Sequence, residues 1–405
     1  MKRSGSADLP LHYGSVPTWL LQRMSRLSLA ITETILTDYG RKDFLRRLSD
    51  PFWFQSFGAV TGMDWHSSGM TTSIMGVLKS TLNPLSKDLG IYVCGGKGNL
   101  SRNTPAELLA VSEKTGLNGT ELIRCSKLSA KVDNTAVQDG HNLYLHNFIV
   151  TTDGDWVVIQ QGMDTGGKTA RRYHWYSESM QSFLNDPHTA VCGINQGSIL
   201  NLADTRADKA RNGMLDLTKQ STDITLKDVQ KLVMPAHHDV QRTDVDMKRL
   251  GALLWLAHDR QVNNFEELLL LEGAGPRTIQ SLALVSEVIH GAPTRFTDPA
   301  RFSFAHGGKD GHPFPVPLKT YDETISILEN AVNKAKLGNT DKQEAIKKLH
   351  QLSLQAEKNF TPSQNGLDEV IKEERENSWK YDGQTVFGKV KKPESKVPVQ
   401  LSLFN

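Results

Sequence analysis

The stretch Leu268-Leu-Leu-Leu-Glu272-Gly273-Ala274-Gly275-Pro276-Arg277-Thr278-Ile279-Gln280-Ser281-Leu282-Ala283 decides how the second half of the chain folds. Apolar residues lead into Gly273-Ala274-Gly275, and a second apolar-periodic run covers Ile279 to Ile289. That pattern reads as helix, tight turn, helix. Gly273 suits a helix stop that needs positive φ. Pro276 suits the first turn of the next helix, where a missing N–H costs nothing. Such a turn aims unpaired amides outward at the positive end of a helix, which is a ready phosphate site.

Outward from this stretch, the chain after about residue 200 reads as helical. The candidates are Leu226–Met234, Val245–His258, Phe265–Leu271, Arg277–His290 and Tyr321–Glu357, with an irregular segment over 297–317. The first half mixes helices and strands. A helix starts near Pro17 and stops at Gly40, the aromatic run from Pro51 belongs in a core, and a helix covers Met70 to Thr81. Ile91–Cys94 is a short strand. Thr104 and Glu107 form a capping box, and a further helix covers Thr120 to Ala136. The clearest β signal is a pair of β-rich runs, Tyr144–Thr152 and Asp155–Gln161, flanking an Asp153-Gly154 turn. The expected architecture is an α+β domain over 1–200 and an all-α helical bundle over 215–358 with the Gly-Ala-Gly turn inside 265–290. A polar tail over 359–405 follows.

A net charge of +2 is too mild to imply nucleic acid by itself, so any such binding must come from local patches. Three scattered cysteines, Cys94, Cys125 and Cys192, give neither a disulfide framework nor metal-ligand spacing. The N-terminus has no apolar core of a signal peptide, and no run reaches the ~18 apolar residues of a membrane span. The expected place is the cytoplasm, with no membrane partner.

The turn at Gly273–Thr278 resembles a helix-hairpin-helix motif, a sequence-independent binder of DNA backbone in repair enzymes and nucleases. The expected contacts there are Gly273, Gly275, Arg277 and Thr278. Longer motifs carry a wider resemblance: Lys2-Arg-Ser-Gly-Ser-Ala-Asp-Leu-Pro-Leu-His12, Gly62-Met-Asp-Trp-His-Ser-Ser-Gly69, Val132-Asp-Asn-Thr-Ala-Val-Gln-Asp-Gly140, Gln160-Gln-Gly-Met163, Ala170-Arg-Arg-Tyr-His-Trp175 and Phe302-Ser-Phe-Ala-His-Gly-Gly-Lys-Asp-Gly311. Over most of residues 1–330 the chain resembles the prokaryotic domain-of-unknown-function family 763. That resemblance implies a DNA-processing nuclease whose N-terminal domain is similar to the ParB nuclease-like fold. It transfers no active-site roles.

Read from the residues, the first chemical candidate is an acidic and histidine cluster. Asp133, Asp139 and His146 are the expected catalytic groups, and Asp139, His141 and His146 the expected ligands of Mg²⁺ or Mn²⁺. A polar loop adds Asp64 and His66 as a further ligand pair. The second candidate is basic and aromatic: Lys168, Arg171, Arg172 and Trp175 would pair phosphates and stack an unpaired base. Turn formation, helix capping, a solvated strand edge and satisfied core histidines are the plainer roles of the same residues. Gly162-Met-Asp-Thr-Gly-Gly-Lys168-Thr169 matches the phosphate-loop pattern literally. The run after it, Ala170-Arg-Arg-Tyr, is a poor helix opening, so nucleotide binding is the weakest of the three readings. Lys97, His237-His238-Asp239 and the His306 and His312 loop are lesser candidates. The leading expectation is a metal-dependent nuclease that serves DNA repair and acts on single- or double-stranded DNA. A non-catalytic DNA-binding adaptor is the alternative, and a homodimer is left open.

Overall fold

The computed structural model describes residues 18–63, 69–164, 169–222, 225–226, 247–300, 318–335, 338–359, 384–385 and 388–389. Its contacts divide the chain into two compact units, Met1–Gln351 and Leu352–Asn405. In the second unit the two-residue strands Gln384–Thr385 and Gly388–Lys389 pair antiparallel.

The first unit is built on a five-stranded, wholly antiparallel sheet. Its strands are β1 (Ile91–Lys97), β3 (His141–Thr151), β4 (Trp156–Asp164), β5 (Ala170–Tyr176) and β6 (Ala190–Cys192), in the order β1-β3-β4-β5-β6. The β3–β4 pair is the hairpin expected around Asp153-Gly154, and Gly154 takes the positive φ of 92° that the turn requires. A smaller sheet joins β2 (Val137–Gln138), β7 (Ser198–Asn201) and β8 (Arg295–Thr297).

Both faces of the large sheet are covered, so strict alternation splits its residues between two cores. Ile91, Val93, Ile149, Val157 and Ile159 face helices α1 (Thr18–Ser49), α2 (Pro51–Thr61) and α3 (Gly69–Leu82). Helix α2 is buried along its whole length and is capped by Asp50, whose carboxylate accepts from the Trp53 amide at 2.8 Å. Tyr92, Cys94, Phe148, Val150, Val158, Tyr173 and Trp175 face the other way. They meet α4 (Thr104–Thr115) and α5 (Gly119–Lys131), and their core continues into α6 (Asp208–Lys219), α7 (Met247–Asp259), α8 (Phe265–Leu270) and α9 (Pro276–His290). Helices α10 (Leu318–Lys334) and α11 (Asn339–Asn359) follow, and Leu328 and Leu349 pack into the first core.

One hydrophobic cluster runs from the sheet to α9, across the expected boundary between residues 1–200 and 215–358, and β7 pairs with β8 across about a hundred residues. The helix expected to stop at Gly40 does end there: Gly40 leaves helical geometry (φ 85°, ψ 175°), and a second helical run follows directly to Ser49. The Thr104–Glu107 capping box does not form. Glu107 instead accepts from the Gly95 amide at 2.7 Å and pairs with Lys79, and Thr104 Oγ1 donates to the Ser101 carbonyl. A strand amide and an ammonium outcompete the cap, because a charged partner strengthens the bond. Among the described residues no helix is long and apolar enough to cross a membrane.

Candidate functional site

Two features stand out, and one short segment joins them. The first is the turn between α8 and α9. Asn264 caps α8 by accepting from the Glu267 amide at 2.9 Å, while the Glu267 carboxylate returns to the Asn263 amide. Leu271 leaves the helix at ψ 148°, and Gly273 turns the chain at φ 83°. Gly275 precedes Pro276 at the N-terminus of α9. Ala274 is fully buried, and Leu268, Leu269, Ile279 and Leu282 anchor the helices on either side. Glu272, Gly273 and Arg277 are exposed. The early amides of α9, at Arg277 and Thr278, precede any intrahelical carbonyl they could bond. Gly273 needs its glycine for φ. Gly275 does not, since its φ is −97°, and a Cβ there would meet nothing within 4 Å.

The second feature is a buried polar layer on the inner face of the large sheet. Helix α5 ends in a π-helical turn, Val132–Ala136, a form frequent at functional positions. This turn swings Asp133 into the protein, where its exposure is 0 %. Asp133 accepts from Gln160 Nε2 at 2.5 Å and Trp175 Nε1 at 2.9 Å, and its other oxygen meets His188 Nε2 at 2.5 Å. Gln160 Oε1 lies 2.8 Å from His146 Nδ1, and His146 Nε2 lies 2.8 Å from Ser126 Oγ. Burial lowers the His146 imidazole to about 4. Burial also pushes the Asp133 carboxyl up, against the pull of His188 and Trp175.

Asp139 belongs to a neighbouring set. Its carboxylate accepts from Arg171 at 2.9 Å, from the Tyr173 hydroxyl at 2.6 Å and from the His141 amide at 3.0 Å. Burial alone would raise its pKa, but His141, Arg171 and Tyr173 hold it below the ordinary carboxylate value. Arg171 also grips Asp298 through both terminal nitrogens, at 2.9 and 2.8 Å.

The segment Lys131–Asp139 joins the two features. Lys131 Nζ donates to the Ala274 carbonyl at 2.7 Å, and Gln138 Nε2 donates to the Pro276 carbonyl at 2.8 Å. The segment therefore holds the turn at both ends and places Asp133 and Asp139 in the buried layer.

Several sequence expectations change here. Asp139, His141 and His146 do not converge on one point. Asp139 is filled by protein donors, His141 Nδ1 lies 2.9 Å from the Asp139 carbonyl, and His146 sits between Ser126 and Gln160. Among the described residues no group of three or more His, Cys, Asp or Glu is arranged to hold a metal ion. Asp139, His141 and His146 form no such group by themselves, and the other expected ligands, Asp64 and His66, lie outside the described residues. Arg171, Arg172 and Trp175 are not a surface patch: their exposures are 1 %, 6 % and 0 %. Arg172 faces the opposite core, where it donates to Gln55 Oε1 and lies 4.6 Å over the Phe54 ring. Thr278 is buried, so only its amide can serve the turn. The Gly162–Thr169 pattern runs from β4 into β5, and no helix follows it. Gly162 is needed for packing, since a Cβ would lie 2.9 Å from the His141 Cβ. Asp64, His66, Lys168, His237, His238, Asp239, His306 and His312 lie outside the described residues.

His188, Lys131, Gln138 and Asp298 were not anticipated. His188 lies in the Asp186-Pro187-His188 loop, which carries no motif, and Asp298 is 127 residues from Arg171.

The fold and site define an α+β protein with a twice-covered antiparallel sheet, a buried acid–histidine layer and an open glycine turn tied to it. A family model described as protein of unknown function (DUF763) matches residues 5–316, and the chain belongs to that family. No curated protein and no solved structure matches it.

Proposed function

We propose that this protein is a DNA-processing nuclease: it holds the phosphate backbone at a helix-hairpin-helix turn, Gly273–Thr278, and hydrolyses phosphodiester bonds. The observation that carries the reading is the turn itself. It presents amides at the positive end of a fifteen-residue helix, beside the exposed Arg277, with nothing over Gly275. Amides and a cation recognise phosphate without reading bases, so binding is sequence-independent. The hydrolytic half rests on the buried acid–histidine layer and on the ParB nuclease-like resemblance, which remains part of the proposal.

The test is anisotropy and gel analysis of labelled single- and double-stranded DNA with purified protein, over a salt series, with Mg²⁺, Mn²⁺ or chelator. Binding should weaken steeply with salt, and Arg277→Ala should lower affinity and reduce the log–log salt slope by about 0.9. Salt-insensitive binding, or none, sinks the reading. Binding with no cleavage under any condition favours a non-catalytic DNA-binding adaptor. The complete internal pairing of Asp139 with Arg171 and Tyr173 is the observation on that side.

A further inference from the structure

Asp133 is used up on all sides, and that makes it a fixed support. A carboxylate only accepts, so each of its three partners must present a proton to it. His188 therefore carries its ring proton on Nε2, towards Asp133. Gln160 likewise turns its NH₂ to Asp133 and its oxygen to His146, which then accepts from Ser126. Every member of this chain has one orientation. The His188 ring is further fixed by Trp175, whose centroid lies 4.5 Å away at 62°, and by Tyr173 at 6.0 Å.

What remains is Nδ1 of His188. Among the described residues no protein group hydrogen-bonds to it. His188 is one of the residues that line a cleft of about 160 Å³, whose wall also includes Asp186, Pro187, Thr189, Asn201 and Ala203. That volume admits several water-sized groups. The backbone of the cleft is strained where it turns. Asp186 takes a left-handed φ of 49°, held by its amide on the Ala203 carbonyl at 2.8 Å and by Thr205 Oγ1 on its carboxylate at 2.5 Å. Strain of this kind persists where the surroundings over-determine it, and it clusters at functional sites.

We propose that His188 is a catalytic general base, that Asp133 is its positioning residue, and that the cleft before Nδ1 is where a phosphodiester is hydrolysed. The choice of phosphodiester as substrate rests on the DNA-processing reading; the dyad rests on its own geometry. In the step, a water in the cleft gives a proton to His188 Nδ1 as its oxygen bonds to phosphorus. The bond from phosphorus to the leaving oxygen breaks on the opposite side, that oxygen takes a proton from solvent water, and Nδ1 returns its own proton to solvent. The Asp133 carboxylate stabilises the imidazolium in between, as a buried carboxylate does in a hydrolytic triad. Asp133 is two residues from Lys131, so a backbone held at the Gly273 turn is held against the segment that supports the dyad.

The experiment uses the full chain and two probes: bis(4-nitrophenyl) phosphate for hydrolysis and labelled DNA for binding, each with Mg²⁺, Mn²⁺ or chelator. His188→Ala should lose hydrolysis by about 10²-fold or more. Added imidazole should restore part of it by occupying the vacated cleft, with DNA affinity unchanged. Asp133→Asn should lower the rate with no response to imidazole. If His188→Ala melts early, His188→Asn serves in its place. Wild-type hydrolysis by the folded His188 variants, or loss with no rescue by imidazole, overturns the proposal. So does a wild-type protein that binds DNA but hydrolyses neither DNA nor the small diester. Hydrolysis without DNA binding overturns the helix-hairpin-helix reading and leaves His188 standing.

Discussion

His146 and Asp139 sit in one buried layer but respond to acid in different windows. The unfolded imidazole titrates near 6.5, and burial lowers the folded value to about 4. Between those values the unfolded chain binds more protons than the native one, so stability falls as pH drops from 6.5 towards 4. Asp139 is the opposite chemical type with the same sign. Its folded pKa lies below the ordinary 3.8, so its contribution is complete above that pH and is lost only as pH falls further. Melting temperatures of wild type and His146→Gln should therefore converge as pH is lowered from 7 to 5, while the deficit of Asp139→Asn should hold until below about pH 4. A parallel pair of curves for wild type and His146→Gln would show that His146 is not buried as a neutral ring. At this scale the local sequence was a poor guide. Arg171 and Arg172 read as exposed phosphate contacts or a solvated strand edge because their type is charged, and nothing nearby in the chain shows that both faces of β5 are covered. The partner that neutralises Arg171, Asp298, arrives from the far end of the unit.

At the scale of elements the sequence was far more legible, because periodicity is a local property. The β3–β4 hairpin, α3, α7, α8 and α9 lie close to where alternation, capping and glycine placement put them. The π-helical end of α5 was not visible, since a π turn differs from an α turn by one residue and has no composition of its own. The two glycines of the α8–α9 turn separate stability from function. Gly273→Ala forces a side chain into φ 83° and should cost roughly 1–2 kcal/mol in urea unfolding. Gly275→Ala meets neither strain nor contact, so stability should stay within about 0.5 kcal/mol of wild type. Its methyl group stands where the backbone phosphate would approach, and DNA affinity should fall. Equal losses of affinity and stability in both variants would mean that the turn is only a connector. Lys131 belongs to the same element-scale design. Burial lowers the pKa of its ammonium, and its bond to Ala274 ties the turn to the π segment.

For the whole molecule, the decisive fact is that α4 and α5 cover only part of the inner face of the sheet, and the rest of its core comes from beyond residue 200. Tyr173, Trp175, Phe148 and Val158 share a core with Met214, Leu253, Leu268, Leu282 and Val285, all contributed later in the chain. The β7–β8 ladder adds main-chain bonds between residues 198–200 and 295–297. Arg171 would lose Asp298 if the chain were cut near residue 200, leaving a fully buried guanidinium half paired. Breaking a buried pair from one side typically costs about 3–5 kcal/mol, on top of the apolar area exposed, and a whole domain holds only about 5–15 kcal/mol. A fragment of residues 1–200 should therefore fail to fold, giving no cooperative melt by circular dichroism and binding a hydrophobic dye. The full chain should melt its sheet and helices α6 to α9 together, with near- and far-ultraviolet signals superimposed. A soluble, cooperatively melting 1–200 fragment would restore two independent domains. It would also detach the acid–histidine layer from the turn, since the Lys131 and Gln138 bonds would then be an interface between domains.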